Sequence, residues 1–205
     1  QALRVALSPQ EEKAIAQKPT ENAQAYDYFL RGRSFARRGT RADLEFAMQM
    51  FEKAVSMDPD FALAHAGIAH TCGLFHYFHE PQAKWIQKGL GACERALKID
   101  PQVAEGLAAR ALILYAQGKY EEAINCARRA IDRKADCEGA YYALGRACFQ
   151  SDRLDEAAEA ADRAIKASGD DYNVHIPYMN ALERLGQHEA AARIRQEWVV
   201  KLERQ

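Results

Sequence analysis

Apolar residues recur along most of this chain at intervals of three and four, and short polar turns interrupt them at regular distances. That is the period of a helix with one buried stripe; no segment sustains the two-residue alternation of a strand. The pattern predicts paired helices over about 21–38 and 41–57, 60–78 and 82–98, 102–117 and 119–133, 136–150 and 153–167, and 172–185 and 187–204. Upstream, Ser8-Pro9-Gln10-Glu11 reads as a capping box with proline at the first helical position. It is expected to start a short helix that ends by Lys18-Pro19. Thr20 is expected to cap the first long helix, and Thr40 with Asp43 the second. Pro177 is expected to delay or kink its helix, because proline lacks the N–H and clashes with the preceding turn.

The helices repeat on a ruler. Ala123, Ala157 and Ala191 lie 34 residues apart, as do Gly118, Asp152 and Gly186. A fixed period of this length means stacked helical hairpins that each bury a face only against their neighbours. The alanines belong where two helices cross closely. Gly118 and Gly186 suit a left-handed helix end, whereas Asp152 is expected to cap the next helix. A second line runs Ala96, Ala130, Ala164 and then Trp198; Ala54 precedes it by 42 residues. Asp58-Pro59 and Asp100-Pro101 follow two of these alanines at the same offset, ending one helix and opening the next. Gly32, Gly67 and Gly145 share one position of their first helices, filled elsewhere by Ala111 and Met179.

With these residues in register the chain resembles tetratricopeptide-repeat proteins. Phe51, Ala54 and Pro59, then Ala96 and Pro101, then Leu144, Gly145 and Ala157 carry the likeness. Repeat two departs by about ten extra residues between its helices, and Ala135 and Gly169 replace the terminal proline. The resemblance implies an all-α, right-handed superhelical solenoid of antiparallel helix pairs. Residues 1–20 then form an N-terminal helical extension, and 21–205 the solenoid, with repeats at about 22–59, 60–101, 102–135, 136–169 and 170–205.

A second resemblance lies upstream. Leu7-Ser8-Pro9-Gln10-Glu11-Glu12, Pro19-Thr20 and Ala25-Tyr26-Asp27-Tyr28-Phe29-Leu30-Arg31-Gly32-Arg33 are similar to the entry of a bacterial group of such domains. In that group the repeats follow an adenylate cyclase, a Ser/Thr kinase or a winged-helix regulator. The likeness implies one regulatory module of a longer signalling protein. No cyclase or kinase residues are present, so no catalysis carries over.

Composition narrows the partners. The chain has 205 residues, 28 basic and 29 acidic side chains and a net charge of −1. That balance argues against a general nucleic-acid or membrane-surface binder. No apolar run approaches the ~18–20 residues of a membrane span. The N-terminus lacks a signal peptide's basic start and apolar centre; Ala2-Leu3-Val5-Ala6-Leu7 reads as a cut helix, as in an excised module, and a cytoplasmic location is expected. Cys72, Cys93, Cys126, Cys137 and Cys148 are odd in number and show no CxxC spacing. They are expected to be buried free thiols.

In tetratricopeptide domains the first helices line a concave groove. The corresponding positions here are Phe29 and Arg33; Ala64, Ile68 and Thr71; Ala108, Leu112 and Tyr115; Tyr142, Arg146 and Phe149; and Ile176, Asn180 and Glu183. One subset of the family grips a C-terminal carboxylate with Lys and Asn at fixed positions, which here hold Phe29, Ala64, Ala108, Tyr142 and Ile176. That clamp is missing. An extended or helical peptide held by aromatic anchors and arginines fits the lining better. The alternative is that Tyr142 and Phe149 only pack between repeats. Arg31, Arg33, Arg37, Arg38 and Arg41 read either as an acidic-peptide or phosphate contact or as a solvated face balanced by Asp27, Asp43 and Glu45.

The insertion of repeat two gathers His65, His70, Cys72, His76 and His79. Cys72 and His76 are spaced i, i+4, and a soft metal would accept such groups. No second ligand pair stands at a familiar spacing, so no metal is assigned; Phe75, Tyr77 and Phe78 read as packing for a long hairpin. No Gly-rich phosphate loop, nucleophile elbow or HExxH is present, and neither enzyme nor cofactor is expected. Two functions remain: a scaffold that binds a peptide or partner domain in its groove, or a self-association module that dimerises through Trp198, Val199 and Leu202.

Overall fold

The computed structural model describes residues 19–168 and 172–202. Among them are ten α-helices and no strand. They are α1 (Ala23–Arg38), α2 (Arg41–Met57), α3 (Ala62–Leu74), α4 (Ala83–Ile99) and α5 (Ala104–Ala116). Then follow α6 (Tyr120–Arg133), α7 (Glu138–Gln150), α8 (Leu154–Ser168), α9 (Tyr172–Arg184) and α10 (His188–Leu202). A π-helical turn, Phe75–His79, extends α3. The chain is all-α, and the helices pair antiparallel in five hairpins.

Each hairpin packs on the next in two layers. The first helices α1, α3, α5, α7 and α9 touch one another in sequence, while each second helix packs on the first helices of its own and the following repeat. The layer whose helices close on one another lies inside the curve, which makes it the concave face.

Alanines hold the layers together. Ala54, Ala96, Ala123, Ala130 and Ala164 are fully buried, and Ala157 and Ala191 nearly so. A methyl group lets two helix backbones approach where any longer side chain would separate them.

The turns of the last three hairpins repeat one geometry. The N–H of Lys119, Arg153 and Gln187 each donate back five residues, to the carbonyls of Leu114, Cys148 and Leu182 at 2.8–2.9 Å. Each bond closes over a left-handed residue: Gly118 at φ 75°, Asp152 at φ 61° and Gly186 at φ 74°. This corrects the expectation for Asp152, which ends the first helix of its repeat instead of capping the second. The backbone ring of the turn forces φ positive, and its carboxylate instead accepts from Arg184. A Cβ in this region costs about 1 kcal/mol, while the exposed ion pair contributes less than that. Asp152→Gly is therefore expected to raise stability by about 0.5–1 kcal/mol, read as a higher urea midpoint; a fall would show that the Arg184 contact dominates.

The first cap also differs from expectation. Asn22, not Thr20, caps α1: its side chain accepts from the N–H groups of Gln24 at 3.1 Å and Ala25 at 3.0 Å. Thr20 lies two residues too early and donates to the Asp58 carboxylate. Thr40 caps α2 as expected, accepting from Asp43 N at 3.2 Å. Helix α9 runs through Pro177 without interruption.

Candidate binding groove

The concave layer is mostly sealed. Ala64, Ile68, Thr71, Ala108 and Leu112 are buried, so these expected groove positions form its floor and do not reach a ligand. The Thr71 hydroxyl turns inward and donates to Gly67 O at 2.8 Å. Phe29 is likewise an interior residue, 5.1 Å between ring centres from Phe61 and 5.9 Å from Phe51. It is a core anchor rather than a docking ring, because it is only 5% exposed and packs against both of these buried rings. Asn180 is exposed, and Glu183 accepts from Arg195.

Arginines of the first hairpin divide by pairing. Arg31 pairs with Asp27 at 2.9 Å, Arg38 with Asp43 at 3.5 Å and Arg41 with Glu45 at 3.2 Å. Arg33, on the groove line, is exposed and sits 5.8 Å from the Phe29 ring centre. It makes no ion pair with the described residues.

The π turn changes the groove most. Its i+5 bond, Glu80 N to Phe75 O at 2.7 Å, widens the helix end. Trp85 clamps it: the indole stacks on Phe75 with ring centres 4.4 Å apart, and Nε1 donates to Glu80 at 2.8 Å. His79 Nε2 donates to Gly39 O at 2.9 Å and ties the turn to repeat one. The turn carries Tyr77 and Phe78 toward α5 and α7. Tyr77 packs on Tyr115 with ring centres 5.3 Å apart, and the Tyr115 hydroxyl donates to that of Tyr77 at 3.2 Å.

Arg146 sits at the centre. Its guanidinium carbon lies 4.7 Å from the Tyr142 ring centre, 5.0 Å from Tyr77 and 5.6 Å from Phe78. Nη1 donates to the Tyr77 hydroxyl at 2.9 Å. Burial opposes its charge, but the oxygens of Tyr142, Tyr77 and Tyr115 outweigh burial and move its pKa upward. Burial, with the Tyr77 hydroxyl, pushes Tyr115 up to about 12, so it stays protonated. The expected groove residues Tyr115, Tyr142 and Arg146 thus meet in one cluster. Phe149 lies apart, beneath Arg184 at 5.2 Å. Tyr77 and Phe78 are the groove residues that sequence reasoning assigned to packing. The only signal for them was the aromatic density of the insertion.

The histidines do not converge. His65 Nε2 donates to Pro59 O at 3.0 Å and His76 Nδ1 to Gln82 O at 3.1 Å. Among the described residues no three His, Cys, Asp or Glu side chains are placed to hold a metal. All five cysteines are buried free thiols. Burial lifts Cys72 and Cys93 to about 12 and Cys137 and Cys148 to about 11. The side chains of Trp198, Val199 and Leu202, and the extension at 1–18, lie outside the described residues.

Residues 108–172 match a family model described as tetratricopeptide repeat. Those residues run from α5 into the start of α9, through two hairpins that share their turn with the last one and their buried alanines with the others. The fold is that of a tetratricopeptide-repeat solenoid. Solved structures agree on this fold. The thermophilic tetratricopeptide protein TTC0263 of Thermus thermophilus superimposes with a TM-score of 0.60 at 18% identity, covering 84% of this chain and 86% of that one. PilF of Pseudomonas aeruginosa gives 0.57 at 22% identity, over 83% and 73%. MamA of Desulfovibrio magneticus RS-1 gives 0.52 at 18%, over 90% and 98%. No curated protein matches significantly. Neither the family model nor these structures connects the repeats to a cyclase, a kinase or a winged-helix regulator. Among the described residues, no helix of this solenoid is long and apolar enough to cross a membrane.

Proposed function

We propose that this chain is a protein-interaction scaffold whose concave face binds a peptide or partner domain at the Tyr77–Phe78–Arg146 cluster. One observation carries this reading: Tyr77 and Phe78 remain 38% and 39% exposed beside the buried floor residues Ala108, Leu112 and Tyr115. Rings already fixed by stacking lose little freedom on docking, and aromatic and arginine side chains dominate binding hot spots. Clamping by Trp85 and His79 presents them rigidly.

Selecting peptides from a random display library on the wild-type chain tests the proposal. Selected peptides should bind Tyr77→Ala/Phe78→Ala at least about tenfold more weakly, a loss of about 1.4 kcal/mol, with a cooperative thermal unfolding retained. Equal affinity would remove the cluster from the binding site. The finer reading, a regulatory module of a larger bacterial signalling protein, rests on the resemblance of residues 7–33. A reading frame that encodes these repeats with no fused or neighbouring signalling domain would count against it.

A further inference from the structure

We infer that the segment bound in this groove is acidic: a partner carboxylate docks on Arg146, beside an apolar side chain seated on Phe78. This rests on the groove reading above and adds the chemistry of the partner.

Charge along the groove supports it. Among the positions that line the first-helix layer, the cations are Arg33 and Arg146 and the carboxylate is Glu183. Glu183 is occupied by Arg195. A chain with a net charge of −1 therefore turns a basic, aromatic lining inward. The arginines of the first hairpin sharpen the contrast. Those away from the groove, Arg31, Arg38 and Arg41, each have an acid at hand. Arg33 does not pair with any described residue and is exposed over Phe29.

Arg146 has the properties of a built anion site. Three rings from two elements, Tyr77 and Phe78 on the π turn and Tyr142 on α7, hold its guanidinium in place. The group is half-buried, so a carboxylate that reaches it is partly desolvated and bound more strongly than at an open surface. A guanidinium offers a planar fork of donors that matches a carboxylate and rejects a neutral amide less well paired to it. The exposed ring of Phe78 adds the apolar neighbour.

The experiment compares selected peptides with their amide counterparts. Peptides from a random display library are synthesised with each Asp or Glu as found, and again as Asn or Gln, and titrated into the wild-type chain. Acidic peptides should be enriched, and the amide forms should bind at least tenfold more weakly. Arg146→Gln should bind both forms alike, Arg146→Lys should retain part of the preference, and raising salt should weaken only the acidic form. Neutral or basic peptides in the selection, or equal binding of acid and amide forms to the wild type, would overturn the inference. If such charge-indifferent peptides still lose affinity for Tyr77→Ala/Phe78→Ala, the groove reading stands and the acidic partner alone fails. If they ignore that double substitution too, both fail. The amide comparison needs no substitution in the protein, so a variant that does not fold leaves the test intact.

Discussion

Phe51→Ala is expected to cost about 3–5 kcal/mol, the range for removing a fully buried aromatic side chain. Phe51 is 2% exposed and joins repeats one and two. Its ring lies against two helix backbones at once. A Cβ added to Gly32 would come 2.7 Å from its Cε1, and one added to Gly67 would come 2.6 Å from the same atom. The two glycines exist to admit the ring. Gly32→Ala and Gly67→Ala should therefore each lose about 1–3 kcal/mol through overpacking. Gly145 holds the same register position in repeat four, yet its added Cβ would meet nothing nearer than 3.5 Å. Gly145→Ala should be neutral or gain up to about 1 kcal/mol from helix propensity. The difference lies in the second helices, where the register position of Phe51 holds Ala127 and Ala161 in repeats three and four. Urea unfolding of the four variants checks this. Equal losses at Gly67 and Gly145 would mean that the glycines are there for backbone reasons alone. Because solenoid stability is a sum over neighbours, hydrogen exchange should show the Phe51→Ala loss first in repeats one and two.

Ala130→Trp should be still harder to tolerate, with a loss above roughly 3 kcal/mol, because the site has no space into which an indole can relax. Ala130 is fully buried in the crossing of α6 with its neighbours, as are Ala54, Ala96 and Ala164 at the same register. The sequence itself places Trp198 at that register in the last repeat. A tryptophan at Ala130 would pry repeats three and four apart. Arg129→Trp is the control, since Arg129 is exposed and surface changes stay within about 0.5 kcal/mol. A cooperative melt for Ala130→Trp within a degree or two of wild type would refute close helix crossing as the reason for the alanine line.

Much of this fold is legible in the sequence. Helix spans, five hairpins, the alanine line and the left-handed turns at Gly118 and Gly186 follow from the period. Each depends on contacts within a repeat or with the next one, and the period states those contacts directly. The errors are local competitions. Asn22 and Thr20 are both good caps, and tertiary bonding of Thr20 to Asp58 settles which one serves α1. Asp152 has the chemistry of a cap, but its backbone closes the same turn as the glycines around it.

The candidate site was only half visible. Tyr115, Tyr142 and Arg146 sit at groove positions that the ruler identifies, and the basic and aromatic character of the lining is already present in the residue types. Phe29 and Thr71 occupy such positions too, yet pack inward, because burial at a shared register depends on the size of the neighbours. The decisive contact joins Arg146 to Tyr77, which lie 69 residues apart. It skips a whole repeat and starts from a π turn that no period contains. By itself, the sequence determined the order of helices, the closeness of their crossings and the charge of the inner face, since these are nearest-neighbour properties. Only the tertiary structure decided that the insertion folds over the groove and which of its rings stay open to a partner, because that depends on where a widened helix end points in space.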